Sequence, residues 1–304
     1  MAITAATKTS DFSGFLNREQ SEAIFEKAAR ISVVQQMARR VPLGANGQAI
    51  PVVTGKVQAG WVAEGAAKPA SAGTMALKTM DPKKLAAIAV VSAEVVRANP
   101  GGYMDLLRPQ IAEAFATTFD SAALHGTGSP FSTNLDTGSS TQEFLDASGT
   151  GGALTQVYDD LNAGLATLVN ADKDPSGFLF DKRFEPILNG SKDSAGRPLF
   201  TAPTYEDGNR SRGSLLGYET TIGKGVWANT PKIYGYLGDW SQAAWGAVGE
   251  ISYKVSTEAT VTINGSLVSL FENNLVAILA EAEYGWLVND PASFVKYTNA
   301  TDTA

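Results

Sequence analysis

Two residue types with reactive side chains are missing or nearly missing from this sequence of 304 residues. It has no cysteine and a single histidine, His125. The absence of thiols excludes a disulfide framework, a cysteine nucleophile, a thiolate zinc site and an iron–sulfur cluster, and one imidazole cannot form a two-histidine metal site. We therefore expect neither a cofactor nor a bound metal.

Positive charge is in short supply as well. The chain has 24 Lys and Arg residues against 31 Asp and Glu residues, which gives a formal net charge of −7. A surface that grips nucleic acid needs clustered Lys and Arg to neutralise phosphates. The composition argues against such a surface, although it does not exclude a container that encloses nucleic acid.

Long hydrophobic runs are absent too. The longest, Leu85 to Val96, is interrupted by Ser92 and Glu94 and falls short of the roughly 20 residues that span a bilayer. The N-terminus lacks the charged start and apolar stretch of a secretory signal. With 44% hydrophobic and 18% charged residues, a chain of this length can bury a sizeable core. We expect a soluble protein of about two domains.

The first third of the chain combines regular elements with a long irregular excursion. Residues 1–16 are small and polar, which is typical of an extended arm, and a helix is predicted from Asn17, where Gln20 completes a capping box. We predict a strand from Ser32 to Pro42. Over 49–84, glycine and proline interrupt short β-prone pieces, which predicts a two-stranded excursion that needs support, such as a neighbouring subunit.

A buried strand and a long helix follow. Leu85 to Ser92 is rich in Ala, Ile and Val, and apolar residues recur at helical spacing from Tyr103 to His125. Helices and strands then mix without regular βαβ alternation, which favours an α+β fold. After a Gly/Ser/Thr-rich connector at 127–152, we predict helices at about 154–169 and 181–189, strands at about 178–181, 214–222, 232–238 and 245–256, and a β-rich tail over 259–297.

Two features have the outline of catalytic motifs but a simpler structural interpretation. The segment from Gly217 to Lys224 is similar to a phosphate loop, but it has five residues between its glycines instead of four, and Gly225 instead of Ser or Thr. A turn at a strand end is favoured there. His125 could serve as a general base, but it falls in the last turn of the long helix, where a cation complements the helix dipole.

Two pairs of carboxylates remain. Asp159 and Asp160 lie in the opening turns of a predicted helix, where acidic residues are favoured for local reasons. Glu281 and Glu283 share one face of a predicted strand inside an otherwise apolar run. Burial would raise the pKa of Glu281, so this pair is the candidate for acid–base chemistry, with a structural ion pair as the alternative.

Seven segments, spread over most of the chain, form a pattern through their order and spacing. They are WVAEGAAKPAS (61–71), KKLAAIAVVSAEVVRANP (83–100), FDSAALHGTGSP (119–130), FLFDKRFEPILNGSKDSAGRPLF (178–200), LLGYETT (215–221), GDWSQAAWGAVGEISYKVS (238–256) and FENNLVAILAEAEYGWLVNDPASFVKY (271–297). Together they resemble the major capsid proteins of tailed bacteriophages with the HK-ninety-seven type of fold, which encapsulin shells share in outline.

The resemblance implies an α+β phage major-capsid fold in four parts. These are an N-terminal arm (1–48), an extended β-hairpin loop (49–84), a peripheral domain with a long spine helix (85–150 and 265–304) and an axial domain (151–264). In this arrangement the extended loop overlies an adjacent subunit. That subunit would supply the support that the excursion requires.

The function implied by the resemblance is structural. Copies of the chain would self-assemble into hexamers and pentamers of an icosahedral shell around double-stranded DNA, without sequence-specific binding, in a virion assembled in the host cytoplasm. Portal, scaffolding and decoration proteins are further expected partners, and a membrane is not. We expect Phe12, Phe15, Trp61, Lys192 and Pro198 to lie at subunit interfaces.

Some members of this family join neighbouring subunits by an isopeptide bond between a lysine and an asparagine, assisted by a glutamate. In this sequence Lys68 stands at the lysine position, Asn274, with Asn273 beside it, at the asparagine position, and Glu281 at the glutamate position. An ammonium with a pKa of about 10.4 must lose its proton before it can attack a carboxamide and expel ammonia. A glutamate with a raised pKa would suit the role of base. Apart from this crosslink, no enzyme activity is implied.

Two alternatives stay open. An encapsulin-type compartment would hold cargo enzymes instead of DNA, and a soluble hydrolase would use Glu281 and Glu283 as its carboxylates. The contents of purified particles distinguish the first alternative from a capsid. A stable monomer or dimer that never forms shells would indicate the second.

Overall fold

The computed structural model describes most of the chain from residue 32 to residue 299. The helix predicted from Asn17 and the predicted contacts Phe12, Phe15, Lys192 and Pro198 lie outside the described residues. The described ranges are 32–55, 59–64, 67–68, 70, 72–98, 103–144, 156–191, 201–206, 210–229, 232–249 and 251–299.

Helices are few and mostly short within these ranges. They are α1 (Val33–Met37), α2 (Ala93–Ala98), α3 (Tyr103–His125), α4 (Val157–Asn170) and α5 (Glu185–Gly190). Short 3₁₀ helices occur at Lys182–Phe184, Trp240–Gln242 and Pro291–Ser293. None of the described helices combines the length and the apolar character that a bilayer crossing requires.

Strands make up most of the remaining regular structure. The first nine are β1 (Arg39–Arg40), β2 (Gln48–Gly55), β3 (Thr74–Met80), β4 (Lys83–Ser92), β5 (Ser140–Glu143), β6 (Gly177–Asp181), β7 (Thr201–Glu206), β8 (Arg210–Leu215) and β9 (Tyr218–Gly223). The others are β10 (Ala228–Asn229), β11 (Lys232–Gly238), β12 (Ala243–Ala247), β13 (Ser252–Ser256), β14 (Thr260–Ile263), β15 (Ser266–Ser269), β16 (Leu275–Val288) and β17 (Phe294–Asn299).

Two larger sheets and two separate hairpins arise from these strands. In the five-stranded sheet, β16 is central: it pairs along one edge with β12 and β13 and along the other with β4, and β1 joins β12. The eight-stranded sheet runs in the order β5-β17-β11-β6-β9-β8-β7, with β10 beside β11. Among the residues that the structure describes, β2 pairs with β3 alone, and β14 pairs with β15 alone.

The long helix α3 connects the two larger sheets through the core. Its first half packs Ile111 and Phe115 against small and apolar residues of β16. Its second half places Phe119 in a cluster with Trp286 of β16 and Tyr236 of β11. A second core lies between α4, α5 and the eight-stranded sheet, and it is rich in stacked aromatic rings. The two sheets therefore share one buried junction.

Several sequence predictions are confirmed at element level. The long helix has the predicted bounds, Tyr103–His125, and β11 has the predicted bounds 232–238. The excursion over 49–84 contains the antiparallel pair β2–β3, and the strand predicted from Leu85 to Ser92 lies within β4. Its predicted burial is wrong for most of its length, because only Val90, Val91 and Ser92 are buried and Ile88 is 43% exposed. The mixture of helix and strand without regular alternation agrees with the α+β prediction.

The strand predicted from Ser32 to Pro42 is wrong for most of its length. Residues 33–37 form α1, because the Ser32 side chain caps it by accepting the N–H of Gln35 at 3.1 Å. Buried Asp120 of α3 also accepts the N–H of Val33 at 3.1 Å. A carboxylate that lies far away in the sequence thus overrides the local β preference.

Two other predicted strands are interrupted by turns. Leu216 and Gly217 adopt positive φ angles of 52° and 83°, so the segment 214–222 is a hairpin of β8 and β9 rather than one strand. The segment 245–256 is likewise divided into β12 and β13. Both pair with β16, one after the other along the same edge.

The sheets do not divide at residue 264, the predicted end of the axial domain. β12 and β13 lie before this residue, yet they belong to the five-stranded sheet with β4 and β16. β17 lies after it, yet it sits inside the eight-stranded sheet between β5 and β11. The division into arm, extended loop, peripheral domain and axial domain stays a prediction.

Candidate functional site

One face of the β2–β3 hairpin is apolar and open to solvent. Val53 pairs with Met75, and Pro51 pairs with Leu77, so all four side chains share one face of the two-stranded sheet. Val53, Met75 and Leu77 are 65%, 68% and 71% exposed. A hairpin with such a face is marginal by itself in water, because it buries little of its apolar surface.

The hairpin is fastened to the rest of the subunit at its base. Met80, the last residue of β3, is buried in a small cluster with Leu43 and Leu287. The Lys78 ammonium donates a hydrogen bond to the backbone carbonyl of Asn289, just beyond β16. The base of the hairpin therefore packs against the rest of the subunit, whereas its apolar face is exposed and can contact another molecule.

Two predicted site residues lie between β2 and β3. Trp61, a predicted interface residue, is fully exposed. Lys68, the predicted crosslinking lysine, is also exposed. When an exposed indole docks against another molecule, a large apolar area is removed from water. Trp61 therefore stays a predicted interface residue.

Glu281 lies in the middle of β16 between two lysines from neighbouring strands. Its carboxylate is 2.6 Å from Nζ of Lys84 on β4 and 3.2 Å from Nζ of Lys254 on β13. Hydrogen bonds from Lys84 and then from Lys254 hold the pKa of Glu281 below its ordinary value. The expected raised pKa is therefore wrong, and the structural ion pair is the correct alternative.

Asn274 ends the turn that precedes β16 and adopts a left-handed backbone conformation, with φ +52°. Its side-chain amide donates a hydrogen bond to the carboxylate of Glu94 on α2, and both side chains are exposed. The neighbouring Asn273 instead donates its side-chain amide to the carbonyl of Ser269 at 2.9 Å. Of the two asparagines, Asn274 is the one that faces an acidic group.

Asn274 and Glu281 are not brought together within one subunit. β16 begins at Leu275, directly after Asn274, and the six steps from Leu275 to Glu281 span about 20 Å at the usual rise. The structure therefore places the predicted asparagine and the predicted glutamate in different surroundings. The glutamate that does contact Asn274 is Glu94, which sequence spacing alone did not suggest.

The other candidates have structural roles. The hydroxyl of buried Tyr236 donates to the Asp136 carboxylate at 2.7 Å, and Nδ1 of His125 lies 3.1 Å from the same carboxylate. Burial, followed by the charge of Asp136, raises the pKa of Tyr236.

At the start of α4, Asp159 is exposed and Asp160 is buried. Within the described ranges, no group of three or more acidic or histidine side chains is placed to hold a metal ion.

Comparison with known proteins identifies the family. A model of the phage capsid family matches residues 13–299, almost the whole chain. This chain belongs to the phage capsid family. The family match makes it a structural protein of a phage capsid, which does not agree with the alternative of a soluble hydrolase that uses Glu281 and Glu283.

Named relatives agree with the family match. A "Probable major capsid protein gp17" of Mycobacterium phage L5 is 43% identical over 307 aligned residues, which cover 98% of this chain and 94% of the relative. The protein of the same description from Mycobacterium phage D29 is 42% identical with the same coverage. At this level of identity and coverage, family membership extends to the whole length of the chain.

Solved structures share the fold at lower sequence identity. A chain from Gordonia phage Cozz has a TM-score of 0.72 at 24% identity, covering 96% of this chain and 93% of its own. A chain from Mycobacterium phage Cain also has a TM-score of 0.72, at 20% identity, with coverage of 99% and 100%. These likenesses confirm the predicted phage-capsid class of fold.

Proposed function

We propose that copies of this chain form the hexamers and pentamers of an icosahedral shell that encloses double-stranded DNA. The observation that carries this proposal is the exposed apolar face of the β2–β3 hairpin, defined by Pro51, Val53, Met75 and Leu77. A neighbouring copy of the chain is the proposed occupant of that face. A solved structure with the same fold is described as the capsid of an empty GTA particle with C5 symmetry, at a TM-score of 0.67.

The energetics of such a shell favour many modest contacts over a few strong ones. Each subunit presents a hairpin to one neighbour and receives a hairpin from another, which is a heterologous contact that closes when the rotation completes a ring. Once the ring has closed, every contact is reinforced by the others. Trp61 and the apolar hairpin face supply area of the kind that such contacts bury.

The net charge of the chain agrees better with a shell that encloses DNA than with a protein that binds DNA tightly. With a formal charge of −7, the subunit has no overall attraction to phosphate. The proposed shell therefore confines DNA without reading its sequence. Portal, scaffolding and decoration proteins, and assembly in the host cytoplasm, are parts of the same proposal that rest on the resemblance alone.

The proposed shell is covalently reinforced by a bond between Lys68 of one copy and Asn274 of another. Both side chains are exposed, so neither needs to leave a core to react. Since Asn274 precedes β16 and Glu281 lies about 20 Å along that strand, a Glu281 that assisted this bond would have to come from a copy other than the one that supplies Asn274.

Electron microscopy and light scattering of the purified full chain test the shell directly. The proposal expects closed particles or rings of five and six subunits, and particles from infected cells should contain DNA. Particles that contain an enclosed enzyme instead of DNA would indicate an encapsulin-type compartment. A chain that stays monomeric or dimeric under all conditions would contradict the shell.

A further inference from the structure

A pocket opens at the edge of the five-stranded sheet, where β12 ends and β13 begins. Ala247, the last residue of β12, pairs with Tyr284. Ser252, the first residue of β13, pairs with Glu281, so four residues of this edge stand opposite two residues of β16. Gly249 lies in this stretch with a φ of 75°, and a cavity of about 300 Å³ lies beside it. The mismatch in register therefore leaves a space that a regular strand would close.

The walls of this pocket are largely apolar. Two aromatic rings and two aliphatic side chains line it, and they belong to Trp245, Tyr284, Ile251 and Ala282. The Trp245 ring is held in place, because its Nε1 donates a hydrogen bond to the backbone carbonyl of Gln35 at 3.0 Å. Fixed aromatic walls favour a guest with a ring of its own, which can pack against them offset or edge to face.

A cation also lines the pocket. Arg40 of β1 is exposed, and its Cζ lies 5.4 Å from the centre of the Trp245 ring. A guanidinium over a ring directs its N–H donors outward in its own plane, where a carboxylate can accept them. Glu283 lines the pocket too, but it stands beside Lys84 in the register of β16 and β4. The pocket therefore suits an aromatic ring that has an acidic residue close to it in the sequence.

The connection between β2 and β3 carries side chains of this kind. Trp61 is fully exposed, and Glu64, three residues later, is exposed as well. The indole ring offers a large apolar surface, and Glu64 supplies a carboxylate that the Arg40 guanidinium can bind. A cavity of about 300 Å³ is at the small end of ligand pockets, which suits one aromatic side chain.

The Trp61 that fits the pocket belongs to another copy of the chain. Within one subunit Trp61 is fully exposed and therefore does not occupy the pocket. The pocket lies near the base of the hairpin, because Val41 and Val248, each next to a pocket residue, pack with Met80. From Met80, β3 runs about 20 Å back to Thr74, and Trp61 lies in the connection beyond. The far end of one hairpin can thus meet the base of the next.

We propose that Trp61 of one copy inserts into the pocket beside Trp245 of the next copy, where Glu64 binds Arg40. This contact rests on the proposed shell, and it names the two surfaces through which neighbouring copies meet. Each copy has one Trp61 and one pocket, and the two are different surfaces. The contact is therefore head to tail, and in a closed ring every Trp61 and every pocket is occupied.

The test compares the protein concentrations at which variants of the full chain assemble, measured by light scattering. Trp61→Ala should raise this concentration about 30-fold or more, because a buried tryptophan at an interface commonly contributes that much to an association constant. Trp61→Phe keeps a ring and should lose less. Ala247→Phe fills the pocket of the receiving copy and should impair assembly to a similar extent. Ala247→Ser leaves the pocket open and is the matched control.

Reversal of the two charges tests the pairing itself. Glu64→Arg and Arg40→Glu should each raise the assembly concentration about two- to fivefold at low salt, as expected for a pair at the rim of an interface. The variant with both changes restores opposite charges and should recover most of the loss. Thermal unfolding below the assembly concentration shows whether a change has damaged the subunit, and if Ala247→Phe unfolds early, the charge reversal decides.

The outcomes separate this contact from the shell. Assembly of Trp61→Ala at the wild-type concentration, with shells visible by electron microscopy, overturns the docking and leaves the shell standing. If Ala247→Phe is impaired but Trp61→Ala is not, the pocket receives another segment, such as the one that contains Phe12 and Phe15, and the role of Trp61 is overturned. A double charge variant that is no better than the single variants overturns the pair of Glu64 and Arg40. A wild-type chain that never assembles contradicts the shell and this contact together.

Discussion

Replacing Leu77 should weaken assembly without weakening the subunit. This side chain is 71% exposed on the apolar hairpin face. Full burial of a leucine stabilises by about 1.5–3 kcal/mol, so a neighbouring copy that covers Leu77 gains about 1–2 kcal/mol from it. We expect Leu77→Ala to lose most of that gain at each contact, which corresponds to about 5- to 30-fold in an association constant.

The assay compares the protein concentrations at which light scattering reports assembly. Leu77→Ala should need a higher concentration than wild type, and Leu77→Asp should not assemble, because a carboxylate would be buried without a partner. Leu77→Met, which conserves volume and apolar character, is the matched control and should assemble nearly as wild type does.

A second measurement isolates the subunit. The free energy of unfolding, measured by thermal unfolding below the assembly concentration, should change by no more than about 0.5 kcal/mol in all three variants, as for other exposed positions. If Leu77→Asp assembled at the wild-type concentration, the hairpin face would not be a subunit contact. A variant that unfolded early would show that Leu77 supports the monomer.

Three further predictions concern the subunit itself. Asp120→Ala removes the acceptor of two buried donors, the Ser32 hydroxyl and the Val33 N–H, and should lower the free energy of unfolding in urea by about 2–6 kcal/mol. Asp120→Asn should give a value between those of the wild type and Asp120→Ala. Gly164→Ala should lower the melting temperature because its Cβ would lie 2.3 Å from the hydroxyl of Tyr297, whereas Gly190→Ala, in open space, should not. Because its lysine partners lower the pKa of Glu281, the stability from this group is present above about pH 4.5 and is lost as the pH falls through the lowered value. Glu281→Gln should therefore flatten the acid limb of a plot of melting temperature against pH.

Elements with a strong local signal could be predicted from the sequence. The helix Tyr103–His125 carries several turns of apolar periodicity, and glycine and proline marked the excursion that contains β2 and β3. The exposed face itself could not be predicted in this way, because Ile50, Val52 and Ala76, which lie on the other face, are apolar as well.

Features that depend on distant partners could not be predicted in this way. The helix α1 replaces a predicted strand where Asp120, 88 residues from the N-cap Ser32, accepts hydrogen bonds from the Ser32 hydroxyl and the Val33 N–H. The low pKa of Glu281 depends on Lys84 and Lys254, whose positions follow from strand register rather than from spacing. Glu94 meets Asn274 across 180 residues for the same reason, since β4 and β16 must first pair.

The positions of β16 and β17 in their sheets have a consequence for the timing of synthesis. Each of these late strands lies in the interior of its sheet, and all of its partners precede it in the sequence. During translation the earlier strands emerge first and must wait, with unpaired edges, until residues 275–299 have left the ribosome. A nascent chain that lacks β16 and β17 thus has neither sheet complete.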